Sequence, residues 1–209
     1  MAFLRNIVLI MLGLMLVAYG GLKFSIVGQR MLPTGTGITA KQLCSLVFVG
    51  GLDESHAKKM YLDPLLEQFP IPVKVKTDYS EGSVTARVPG FVKQSAQYRP
   101  GYGCTLVHDR KSGLQTAPGA LPLSPEMTLD VAHRDAVFDA VKLEAALDEA
   151  FSQSSTRAMP RNTLAVAVLH DGKLVAERYA DGINPTTRLP GWSMTKSVTA
   201  TIAGILVQQ

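Results

Sequence analysis

The sequence predicts an α/β chain led by a membrane-spanning helix and a β-rich first half. Three observations carry that expectation: an uncharged apolar run near the amino terminus, short alternating runs of strand length before residue 110, and a tight hairpin followed by a helix-period segment at the end. The 209 residues correspond to one or two domains at about 150 residues each. With 46% hydrophobic and 18% charged residues and a mean hydropathy of +0.14, intrinsic disorder is excluded. Two cysteines exclude a disulfide-dense miniprotein and a four-cysteine zinc site. The net charge is +4, but Lys and Arg are scattered and no window forms the stripe that phosphate binding needs, so nucleic acid is not an expected partner.

Residues 7–22 (IVLIMLGLMLVAYGGL) carry no charge and lie between Arg5 and Lys23. As a helix these 16 residues span about 24 Å, which reaches across a bilayer core only if Lys23 snorkels and residues 24–27 join. Two readings stand, an uncleaved anchor and a signal peptide cut near Ala18-Tyr19-Gly20, and we favour the anchor. Both send the rest of the chain out of the cytoplasm, giving a single-pass protein with its bulk extracytoplasmic (periplasmic). Cys44 and Cys104 are then read as a disulfide pair, the alternative being two buried free thiols.

Residues 1–30 are therefore assigned to the anchor, 31–130 to a β-rich exported region and 131–209 to a second domain. Within the β-rich region, residues 31–37 (MLPTGTG) read as a linker and 43–49 (LCSLVFV) as an apolar run of strand length. Residues 53–69 have helical spacing broken near Pro64. Alternation over 73–77 and 83–88, with a turn between, predicts a hairpin, and 91–98 and 103–107 are further strand candidates. Residues 111–125 (KSGLQTAPGALPLSP) form a connector. One helix is expected over 135–153, with Ala140, Leu143, Leu147 and Phe151 on one face. Residues 164–170 and 173–179 flank Asp171-Gly172, the composition of a two-residue hairpin turn. A polar loop over 181–191 precedes a last helix, in which Val198, Ile202, Ile205 and Leu206 recur at helical spacing.

Chemistry enters at the start of that helix. Ser193-Met194-Thr195-Lys196 is a Ser-x-x-Lys, and residues i and i+3 share a helix face, so the Lys nitrogen can reach the hydroxyl. A helix N-terminus places the hydroxyl in the positive end of the macrodipole, near free backbone N–H groups. That field, together with burial, favours a neutral lysine able to act as base. The bare pattern is weakly specific, since Ser55-His56-Ala57-Lys58 matches it too, and taken alone it reads more readily as an N-cap serine followed by a surface lysine. The setting is what distinguishes Ser193: hairpin, polar loop, Gly-Trp, then Ser at the mouth of an apolar helix.

On these residues, 162–208 (NTLAVAVLHDGKLVAERYADGINPTTRLPGWSMTKSVTATIAGILVQ) the chain resembles the opening of the penicillin-recognising serine hydrolases. It is most similar there to the class C β-lactamase-related and 6-aminohexanoate-dimer-hydrolase-like proteins. The resemblance implies a β-lactamase/transpeptidase-like fold, Ser193 as acyl-accepting nucleophile, Lys196 as its proton-transfer partner and the Ser193 N–H as one of two oxyanion donors. It implies a small-molecule amide or ester substrate and no cofactor. The family's later motifs, Tyr-x-Asn and Lys/His-Thr/Ser-Gly, do not follow Ser193; Lys111-Ser112-Gly113 precedes it and reads as coincidence. Since 16 residues follow Ser193, the catalytic domain is expected to be incomplete. The alternative function is a membrane-tethered binding or sensor module with an acylatable serine and no turnover.

Other candidates are less specific. His56, His108, His133 and His170 have no metal-ligand spacing, and His108-Asp109-Arg110-Lys111 reads as a solvated charge cluster. Trp192 is either a core anchor for the loop or a substrate-facing aromatic.

Overall fold

In the computed structural model the described residues are 2–67, 71–107, 127–153 and 161–208. They divide into two compact units, one chiefly amino-terminal and one chiefly carboxyl-terminal.

The first unit begins with α1 (Ala2–Phe24). Its residues Leu4–Phe24 have a mean hydropathy of 2.1 and none is buried in the chain, so by length and composition the helix can cross a membrane. Those 21 residues rise about 31 Å, and the apolar helix is longer than the uncharged run alone suggests. Helical winding then continues through a π turn (Val27–Met31) into α2 (Leu32–Cys44), and a second π turn (Ser45–Val49) follows. Gly28 permits the first widened turn, because a Cβ there would lie 2.4 Å from the Leu22 carbonyl oxygen.

Two expectations are corrected here. Residues 31–37 are not a linker, and 43–49 are not a strand; both belong to this helical run. Local propensity speaks against a helix through Thr-Gly-Thr-Gly, but packing overrides it. Gly35, Thr36, Gly37, Thr39, Ala40, Leu43 and Cys44 are all buried as α2 lies on a sheet. A Cβ at Gly37 would stand 3.4 Å from Leu106 Cδ1, so small residues let helix and sheet approach closely. The buried hydroxyls of Thr36 and Thr39 donate to the carbonyls of Leu32 (2.7 Å) and Gly35 (2.8 Å), so neither is left unpaired.

That sheet is an antiparallel meander of β1 (Lys74–Asp78), β2 (Ser83–Val88), β3 (Val92–Arg99) and β4 (Gly103–Leu106), in that order. Its alternation puts Val84, Ala86, Val88, Ala96 and Cys104 inside. On the outer face Lys74, Arg87 and Lys93 stand opposite one another in a single cross-strand row. A Cys44–Cys104 disulfide, Cα–Cα 6.0 Å, joins α2 to β4 across 60 positions. Tyr19 of α1 donates its hydroxyl to the Gly90 carbonyl, and its ring lies 5.0 Å from that of Phe91, at the β2–β3 turn.

The helix expected over 53–69 forms α3 (Glu54–Ala57), a π turn (Lys58–Leu62) and α4 (Asp63–Leu66). It runs through Pro64 instead of breaking there. The π turn explains this: the Asp63 amide bonds five residues back to Lys58, which widens the turn just where the proline ring would clash. The connector over 111–125 lies outside the described residues.

The second unit opens with α5 (Val131–Val137) and α6 (Ala140–Phe151), two helices where one was expected. Asp139 makes the break. Its carboxylate accepts from the amides of Val141 (3.0 Å) and Lys142 (3.1 Å), capping a new helix, while Phe138 is extended. On the expected apolar face Leu147 is buried, Leu143 and Phe151 are half-buried and Ala140 is exposed. β5 (Ala165–His170) and β6 (Lys173–Tyr179) form the hairpin. Asp171 (φ 49°) and Gly172 (φ 72°) are both left-handed, as a two-residue turn with right-handed strand twist requires. Val168 pairs with Ala176 and Leu169 with Leu174, so Val175 is the extra residue of a bulge. Arg178 of β6 forks to Glu144 (2.6 Å) and Asp148 (2.5 Å) of α6. The last element is α7 (Met194–Gln208).

Candidate active site

The loop before α7 is held by its own polar groups. Asn184 Oδ1 accepts from the Thr186 amide (2.9 Å) and hydroxyl (2.7 Å), and Ile183 is buried beneath. The chain then reaches Trp192 at φ 44°, a left-handed conformation that costs a bulky side chain on the order of 1–2 kcal/mol. This reversal sets Ser193 directly before the first residue of α7.

Lys196 lies one turn on, and its Nζ donates to Ser193 Oγ at 2.9 Å. The i, i+3 spacing therefore does bring the two groups into hydrogen-bond contact, a distance over which the hydroxyl hydrogen can pass to a neutral amine. The surroundings differ from expectation in two ways. Ser193 and Lys196 are both exposed, and α7 contributes no buried residue, so the burial that would favour a neutral lysine is missing among the described residues. The amides of Met194, Thr195 and Lys196 are also engaged, bonding back to the carbonyls of Gly191 (2.9 Å), Trp192 (3.3 Å) and Ser193 (3.0 Å). The helix-end field remains; free amides in the first turn do not. Val198, Ile202, Ile205 and Leu206 form an apolar face exposed along the helix.

The second Ser-x-x-Lys is occupied differently. Lys58 pairs with Glu54 on its own helix, and Tyr79 donates to the same carboxylate at 2.9 Å. Burial works to raise the Glu54 pKa, but these hydrogen bonds and the lysine charge hold it below the ordinary carboxylate value. That lysine is paired with an acid one turn before it on its own helix.

Trp192 is 57% exposed, which removes the core-anchor reading. Residues 108–113, with His108 and the Lys111-Ser112-Gly113 triplet, lie outside the described residues. The structure also shows what residue spacing did not: His133 and His170 meet, with ring nitrogens 3.0 Å apart. Separated by 37 positions and set on a helix and a strand, they carry no sequence signal of their own.

A family model described as Beta-lactamase matches residues 148–209. The match takes in the end of α6, the hairpin, the loop and the helix that begins beside Ser193, and it supports a relation to the β-lactamase-related serine hydrolases. No curated protein and no solved structure matches the chain.

Proposed function

We propose that this chain is an extracytoplasmic serine acyl-transfer protein, anchored by α1, that takes small amide or ester substrates through an acyl-enzyme at Ser193. The carrying observation is the 2.9 Å contact between Lys196 Nζ and Ser193 Oγ at the start of a helix, inside the segment matched by the Beta-lactamase family model. Ser193 Oγ attacks the carbonyl carbon while its proton passes to Lys196 Nζ, a transfer that requires the unprotonated amine. The carbon–nitrogen or carbon–oxygen bond then breaks, the leaving group takes the proton, and the acyl group rests as an ester on Ser193. Water releases it in a second step.

The second reading, an acylatable binding or sensor module, is favoured by the exposure of both groups and by the engaged first-turn amides. Loss of one oxyanion donor lowers turnover by about 10²–10³, so a site without a full pair would acylate and then stall. A fluorescent β-lactam and a fluorophosphonate probe, offered to the purified chain in detergent, test the proposal. Labelling is expected at Ser193 and lost in Ser193→Ala; equal labelling of both proteins would sink it. Nitrocefin and p-nitrophenyl-ester assays separate the two readings: turnover well above the Ser193→Ala control makes it an enzyme, and labelling without turnover a binder.

A further inference from the structure

Three metal-donor atoms converge where α5 begins and the β5–β6 hairpin turns. His133 Nε2 lies 3.0 Å from His170 Nδ1, and Asp171 Oδ2 lies 3.6 Å from the same nitrogen. All three ligand atoms fall within 4.8 Å of one another. Their backbones are fixed from both sides. Asp130 caps α5 by accepting the His133 amide (2.8 Å), and its carboxylate also pairs with Lys173 (2.9 Å). The Asp130 amide donates to the Leu174 carbonyl (2.8 Å), which ties the start of α5 to β6. Phe138 sets its ring edge-on against His170, centroids 5.3 Å apart. Both histidines are half-buried and Asp171 is exposed, so the cluster has a walled side and an open one.

We propose that His133, His170 and Asp171 bind one divalent transition-metal ion of the zinc type, with solvent completing the coordination. Two imidazole nitrogens and one carboxylate suit Zn²⁺ and its congeners Co²⁺, Ni²⁺ and Cu²⁺, whereas Mg²⁺ and Ca²⁺ prefer all-oxygen sites. Around a tetrahedral zinc with Zn–N bonds of about 2.0–2.1 Å, two ligating nitrogens stand about 3.3 Å apart. The observed separation of 3.0 Å needs a shift of only a few tenths of an ångström to reach that geometry. Without metal the two nitrogens are joined by one N–H···N hydrogen bond; for both to ligate, the donor ring carries its hydrogen on its other ring nitrogen instead, so that both rings bind the ion as neutral imidazoles. The ion would then staple the start of α5 to the hairpin turn.

The test uses the full chain in detergent micelles, stripped with EDTA and titrated with Co²⁺ and with Zn²⁺. One equivalent of Co²⁺ is expected to give visible d–d absorption that Zn²⁺ displaces. His133→Ala and His170→Ala should each weaken Zn²⁺ binding by about 10–100-fold, while His56→Ala leaves it unchanged. Against misfolding of a variant, the wild-type chain supplies a second readout: Cu²⁺ should broaden the NMR imidazole signals of His133 and His170 ahead of those of His56 and His108. Absence of stoichiometric binding overturns the proposal. So does affinity that survives removal of both histidines, or broadening centred on His56 or His108.

Discussion

Lys196 is a more informative residue than the serine it faces, because any helix N-terminus can use a serine as a cap. It is the 2.9 Å contact of its amine with Ser193 Oγ that supports the proposed proton-transfer couple. Lys196→Ala should therefore slow labelling of Ser193 by about 10²–10⁴-fold while leaving α7 intact by circular dichroism. Lys196→Arg should not restore the rate, since a guanidinium stays protonated and cannot take the hydroxyl hydrogen. Labelling time courses for the three proteins decide this; an unchanged rate in Lys196→Ala would reduce the residue to a surface charge. The pair was legible in the sequence because helix geometry alone joins i to i+3. Its exposure was not, because burial depends on what packs against α7, and no local pattern encodes that. The two histidines were hidden for a related reason: their meeting is made by how α5 and β5 come together.

At the scale of elements, the hairpin is where sequence and structure agree most closely. Asp171-Gly172 specifies its turn within two residues, whatever the rest of the chain does. Gly172→Ala puts a Cβ on a residue at φ 72° and should lower the stability of the second unit by about 1–2 kcal/mol, read as a shift in its urea midpoint. The β1–β4 meander was legible on the same footing, through period-two alternation and short turns. α2 was not. Its Thr-Gly-Thr-Gly stretch has the composition of a loop, and it is helical because small residues there let a helix settle on the sheet. The division of α5 from α6 turns on Asp139, whose capping carboxylate competes with continuing the helix, and an apolar periodicity that ran past it concealed the choice.

For the molecule as a whole, the disulfide between Cys44 and Cys104 is the longest-range covalent tie, closing 60 positions of chain. Chain-entropy arguments put its contribution at about 4 kcal/mol. Reduction, or Cys44→Ser with Cys104→Ser, should lower the urea midpoint of the first unit accordingly; an unchanged midpoint would mean that α2 holds to the sheet by packing alone. The tie matters for more than stability. From α1 through α2 the winding is helical almost without pause, Tyr19 grips the β2–β3 turn, and the sulfur bridge fixes the far end of that run to β4. A span followed by a floppy leash would let its cargo tumble above the lipid. Here α1 is a mast stepped into the sheet itself. Were α1 to cross a bilayer, the first unit could spin about the membrane normal but could not nod freely.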